Sequence, residues 1–135
     1  MSGKREIRFR AWDKVNKKMW NDVWFDKTSI YWGWNEEKEQ PEAIMPRDMI
    51  GELMQFTDLH AKNGKGKEVY EGDLIRVLSN GYEPRLTHEV IWDEERLEWG
   101  VRIVGGGTIT SLWTFNKDFE VIGDIYSAPD LLKSA

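Results

Sequence analysis

The stretch "VYEGDLIRVL", residues 69–78, decides the fold. Val69 and Tyr70 are apolar, Glu71-Gly72-Asp73 follows, and a run then begins that only Arg76 interrupts. A glycine between two carboxylates ahead of such a run reads either as a catalytic acid pair or as a turn feeding a strand. The turn accounts for every residue. Gly72 can take a positive φ that residues with a Cβ resist. The Asp73 carboxylate can accept backbone N–H groups and set the chain's entry into the strand. Glu71 is then left in water.

Reading outward toward the C-terminus, period-two alternation continues. "DLIRVL", "THEVIW", "EWGVRIV", "TITSLWTF" and "FEVIGDIY" form five short strands, separated by "SNGYEPR", "DEER", "GGG" and "NKD". Trp99, Val101 and Ile103 share one face with Arg102 opposite. Five antiparallel strands of this length predict a small SH3-like β-barrel over residues 61–135. "SAPDLL" (127–132) closes it as a short helical turn, with Ser127 as N-cap and Leu131 and Leu132 docking on the barrel.

Toward the N-terminus, "EIRFRAW" alternates Ile7, Phe9 and Ala11 against Glu6, Arg8 and Arg10. "MWNDVWF" returns as a second strand and "SIYWGW" (29–34) as a third, so residues 1–60 form a β-meander lobe. "AIMPRDMIGELMQF" (43–56) fits a short helix opened by Pro46, which would bury Met49, Ile50, Leu53 and Met54. "LMQFT" fits a strand equally well. Both lobes are expected to pack as one mainly β, β-rich α+β unit. The pass along the chain finds no internal repeat and no low-complexity tract.

Composition bounds the chemistry. With no cysteine among 135 residues, disulfides and thiolate zinc sites are excluded. "MSGKREIRFR" lacks the apolar core of a signal peptide, and no apolar run nears the roughly 20 residues of a membrane span, so a cytoplasmic protein without membrane contact is expected. The net charge of −5 argues against broad phosphate-backbone binding. Residues 1–18 nevertheless hold seven basic side chains against two acidic ones.

Three blocks carry a family resemblance. "REIRFRAWDKVNKKM" (5–19), "LMQFTDLHAKNGKGKEVYEGDLIRV" (53–77) and "FEVIGDIYSAPDLL" (119–132) resemble, in order, the signature blocks of YopX-like proteins, small proteins of phages and prophages of Gram-positive bacteria. Asp58 stands where that family usually has Gly, Ala61 where it usually has Asp, and Asp124 where Asn is common. An extra Gly-Lys pair falls around Gly64–Lys67. The resemblance implies a phage origin and a mostly β fold, and it brings no activity, cofactor or catalytic residue.

The residues themselves offer little chemistry. His60 is expected in a loop and His88 at a barrel end, and neither has zinc-site spacing. "GKGKE" (64–68) lacks the hydroxyl a phosphate loop needs after its lysine, because Glu68 follows Lys67. "VGGGT" (104–108) reads as a hairpin turn, and "DEERLE" (93–98) as a solvated charged turn that discourages edge pairing. No catalytic, metal or cofactor site is expected.

What remains is aromatic. Eight tryptophans, with Trp20, Trp24, Trp32 and Trp34 close together, offer more rings than a thin meander needs for its core. Arg8, Arg10, Trp12, Trp32 and Trp34 are the candidate partner-binding residues. Trp and Arg are common protein hot spots, and Trp beside Arg also stacks nucleobases. The expectation is a non-enzymatic accessory protein that binds a protein partner or itself as a homo-oligomer, with nucleic-acid binding as the alternative.

Overall fold

In the computed structural model, which describes residues 7–61, 68–78, 86–115 and 118–132, Gly72 has φ +87°. The buried Asp73 carboxylate accepts the Tyr70 N–H at 2.7 Å. The turn is gripped from both sides, since Gly72 N–H donates to the Val90 carbonyl and Gly72 O accepts from the Ile125 N–H. Glu71 is half-buried for that reason and is not left in water.

The chain divides into two units, Met1–Phe56 and Thr57–Ala135. In the first, β1 (Phe9–Asp13) pairs antiparallel with β2 (Lys18–Asn21) on one side and with the start of β6 (Ile50–His60) on the other. A separate three-stranded antiparallel sheet follows the chain as β3 (Trp24–Phe25), β4 (Ser29–Trp32) and β5 (Ala43–Pro46). Ala11, Trp20, Val23, Ile30 and Ile50 form the core of this unit.

The expected strands are present, but in two sheets and not in one meander, with two further differences. "MWNDVWF" is broken into β2 and β3 around Asp22, which sits at φ +52°. Residues 43–56 form no α-helix: β5 ends at Pro46, Arg47–Met49 make one 3₁₀ turn, and β6 begins. Met49 is 44% exposed where a helix would have buried it. From Leu53 to Phe56 burial alternates, with Met54 and Phe56 inside, so period two wins.

In the second unit β6 ends at His60, which lies in the strand and not in a loop. β7 (Glu68–Tyr70) borders it, and Thr57 Oγ1 donates to the Val69 carbonyl at 2.7 Å. The five strands expected from residue 73 onward are β8 (Asp73–Val77), β9 (His88–Asp93), β10 (Glu98–Ile103), β11 (Thr110–Ser111) and β12 (Phe119–Asp124). They form one antiparallel sheet in the order β11-β10-β9-β8-β12. Leu59, Val69, Ile75, Val77, Val90, Val101, Leu112 and Phe119 fill its core, with Trp99 against them. The second half of "TITSLWTF" is a 3₁₀ turn, Leu112–Phe115, that drives Leu112 into this core.

The tail turn is organised from upstream. Asp124 Oδ1 accepts the N–H groups of Tyr126 and Ser127 at 2.9 and 2.7 Å, so Ser127 is capped by Asp124 and does not itself cap Pro129–Leu132. An asparagine oxygen can accept the same bonds, so the Asn that the family resemblance implies here would keep this turn. Asp58 has φ +68° inside β6. Glycine adopts that conformation without strain, and Asp is among the few other residues that tolerate it.

The two β-hairpins β1–β2 and β9–β10 repeat one construction that the pass along the sequence did not find. Asp13 Oδ1 accepts the N–H groups of Val15 and Asn16, and Lys17 N–H donates to Asp13 O with Lys17 at φ +57°. Asp93 Oδ1 accepts those of Glu95 and Arg96, and Leu97 N–H donates to Asp93 O with Leu97 also at φ +57°. Each aspartate follows a tryptophan, Trp12 or Trp92. Burial works to raise the Asp13 pKa, but hydrogen bonds from Asn16 and Val15 outweigh it and hold the carboxylate below its usual range. Within "DEERLE", Asp93 is therefore a buried turn-former and not a solvated charge.

Two expected outcomes follow from this packing. Asp73→Ala leaves the buried Tyr70 N–H without that acceptor and should cost about 1–3 kcal/mol in chemical denaturation, whereas Asp124→Asn should leave the midpoint near wild type. Burial of His88 lowers its pKa from 6.5. The unfolded state then takes up the proton first, so stability is full above 6.5 and is lost as pH falls through the lower folded value. Denaturation midpoints measured against pH should show this limb, and His88→Gln should remove it.

Candidate functional site

The register of the three-stranded sheet sorts its side chains. Phe25, Ile30 and Met45 are directly opposed across β3, β4 and β5, and Trp24, Tyr31 and Ile44 form the neighbouring row. Because alternate residues face opposite ways, the two rows occupy opposite faces. Ile30 and Met45 pack in the core, which leaves Trp24, Tyr31 and Ile44 on the outer face. The Trp24 and Tyr31 rings stack at 5.9 Å and 18°. Ile44 beside them is 58% exposed.

One carboxylate holds this face in place. Asp26 Oδ1 accepts the N–H groups of Thr28 and Ser29, each at 2.9 Å, and closes the turn from β3 to β4. Its Oδ2 accepts the Tyr31 hydroxyl at 2.6 Å. The Tyr31 bond, then the two backbone bonds, lower the Asp26 pKa to about 2. The same Tyr31–Asp26 bond raises the Tyr31 pKa above its usual value. Both carboxylate oxygens are committed to structure, so the group positions a ring and does not act as an acid or base. Arg47 reinforces the turn, donating to the Asp26 carbonyl at 3.0 Å with its guanidinium over the Phe25 ring.

The candidate residues from the sequence are spread over several environments. Arg10 is only 8% exposed, because β1 has a partner strand on each side and its second face is covered as well. Arg8 lies over the Phe56 ring at 4.5 Å and pairs with Asp22 at 3.6 Å. Trp12 is half-buried opposite Met19. Trp32 and Trp34 are both exposed, Trp34 by 51%. They do not continue one strand, because Gly33 between them has φ +70° and packs so closely on Glu42 that a Cβ would meet its Cγ at 2.8 Å. Trp32 instead lines a slot of about 220 Å³ with Trp20, Ala43 and β2. From the sequence Trp24 belongs to the tryptophan cluster, but neither it nor Tyr31 nor Ile44 is a candidate binding residue. Their signal was Tyr31 lying between Ile30 and Trp32 on the opposite parity.

In the second unit a groove of about 660 Å³ runs along the β9–β10 turn, with Trp92, Arg96, Arg102 and Ile109 in its walls. Trp92 sits edge-on to Trp99 at 5.0 Å. Gly105, Gly106 and Gly107 all have positive φ in the connection to β11. Among the described residues no group of three or more His, Asp or Glu side chains is arranged to hold a metal, and no helix is long and apolar enough to cross a membrane. Residues 64–67 of "GKGKE" lie outside the described residues.

The YopX protein family matches residues 8–133, nearly the whole chain. The chain belongs to the YopX family. Among solved structures it is similar to protein EF1440 from Enterococcus faecalis, at 24% identity and TM-score 0.61 over 96% of this chain and 99% of that one. It is also similar to protein yopX from Bacillus subtilis, at 18% identity and TM-score 0.50 over 94% and 96% of the two chains. These likenesses establish a shared fold. No curated protein matches the chain.

Asp26→Asn should lower the Tyr31 phenol pKa back toward 10, read by ultraviolet titration of the tyrosines. It should also remove the local acid sensitivity of the β3–β4 turn. In the wild type, the Asp26 contribution is full above 3.8 and lost as pH falls through about 2.

Proposed function

We propose that this YopX-family protein is a phage- or prophage-encoded accessory protein that acts in the cytoplasm of a bacterial host by binding protein, a partner or a second copy, without catalysing a reaction. The observation that carries this reading is the outer face of the three-stranded sheet, where Trp24, Tyr31 and Ile44 are presented to solvent side by side. Trp and Tyr are the side chains that most often dominate protein interfaces. The Asp26 bond to Tyr31 favours binding further, since a ring already held in place loses little freedom on association. The ring face offers contact area and shape, and the nearby carboxylate is already used within the fold.

The stacked pair also suits an unpaired nucleobase, which keeps single-stranded nucleic acid as a second reading. Arg8 and Arg10 were its expected electrostatic partners, and the burial of Arg10 leaves Arg8 as the informative position. Arg10→Glu would place a reversed charge inside the fold.

Sedimentation velocity, with crosslinking and mass spectrometry in host lysate, tests the first reading. The wild type should give a concentration-dependent dimer or a reproducible crosslinked partner, and Trp24→Ser with Ile44→Ser should lose it by at least about tenfold, or 1.4 kcal/mol. A variant that behaves as the wild type does would overturn the reading. Quenching of tryptophan fluorescence by single-stranded DNA at low salt, relieved steeply as salt rises and abolished by Arg8→Glu, would support the second instead.

A further inference from the structure

Among the described residues β2 is the end strand of its sheet, next to β1 and to no other strand. An antiparallel strand points the N–H and C=O groups of alternate residues away from its one partner. Lys18, Met19, Trp20 and Asn21 make no backbone hydrogen bond with any described residue beyond the β1 ladder. Such an edge recruits another strand unless it is blocked. This edge has no proline or bulge; it is four residues long and carries Lys18, a charge that opposes pairing with a basic strand and favours an acidic one, and its residues line the 220 Å³ slot together with Trp32 and Ala43. The edge therefore has a side-chain pocket built along it, which is the arrangement that strand addition uses: backbone pairing for affinity and a pocket for specificity.

The surroundings set the chemistry of the occupant. Lys14, Lys17 and Lys18 are all exposed on the turn and strand that lead into the slot. The Asp13 carboxylate nearest them is spent on the turn, bonded to Val15, Asn16 and the Asn16 side chain. Three exposed ammonium groups against the one buried Asp13 carboxylate leave the mouth positive, beside a cavity of single-side-chain size that Trp32 helps to line.

We infer that β2 receives an extended acidic peptide segment of a protein partner as an added strand, with one large apolar side chain entering the slot against Trp32 and flanking carboxylates meeting Lys14, Lys17 and Lys18. The inference rests on reading the first unit as a protein-binding body, but it uses a different surface from the Trp24–Tyr31–Ile44 face.

Fluorescence anisotropy of the full chain with labelled peptides tests it. The probe is Glu-Glu-Val-Phe-Val-Glu-Glu. Its comparators are the same peptide with Lys in place of each Glu, and the same peptide N-methylated at alternate residues in both phases. The acidic probe should bind saturably, the Lys peptide at least about tenfold more weakly, and one N-methylated phase but not the other should lose binding. Lys17→Glu with Lys18→Glu, and separately Trp32→Ser, should each weaken the probe by about tenfold or more. Trp32 is exposed, so near-UV circular dichroism should report an intact fold. Trp24→Ser with Ile44→Ser should leave the probe affinity unchanged, which separates this inference from the outer-face reading. Equal binding of acidic and basic peptides, indifference to N-methylation of either phase, or no binding of the acidic probe at millimolar concentration would overturn it.

Discussion

A fold of short strands leaves backbone N–H groups stranded wherever a strand ends, and each must find an acceptor or pay the cost of desolvation. In this protein aspartate carboxylates supply the acceptors. Asp13, Asp26, Asp93 and Asp124 each take the N–H groups two and three residues ahead. Asp73 takes one from behind, at the Tyr70 N–H. These five residues fix where β1, β3, β9 and β12 stop and where β8 begins. Strand length and register follow from them, and hence which side chains turn inward.

The candidate surface depends on the same device. Asp26 closes the β3–β4 turn with one oxygen and holds the Tyr31 hydroxyl with the other. Through one side chain, a structural turn and the orientation of the half-buried Tyr31 ring are tied together. At the other hairpin of the first unit Asp13 is drawn inward to serve its turn, and the three lysines around it face water. In both hairpins the aspartate carboxylate is occupied in holding the backbone, while aromatic rings and ammonium groups face outward.

Legibility differed by the kind of signal. "EGD" ahead of "LIRVL" was readable because Gly and Asp have distinct local chemistries that hold in any context. Residues 43–56 were not, because Met49, Ile50, Leu53 and Met54 satisfy helical spacing as well as they satisfy a strand interrupted by one 3₁₀ turn. Only the pairing of Ala11 with Leu53 and Arg10 with Met54 chooses between them. The repeated hairpin was hidden because just Trp and Asp recur between "AWDKVNKKMW" and "IWDEERLEWG" at matching offsets, while every loop residue between them differs.

By itself the sequence determined a mostly β chain, five C-terminal strands, the turn at Gly72 and membership of the YopX family. The first three rest on alternation and on residues with strong local preferences, the last on three sequence blocks that resemble that family. Tertiary structure alone decided that Arg10 is inside, that Trp24, Tyr31 and Ile44 form the outer row of their sheet, and that Trp32 lines a slot beside the β2 edge. The reason is that alternation assigns a residue to one of two faces of a strand. Which face meets water depends on the neighbours that strand acquires, and these come from distant parts of the chain.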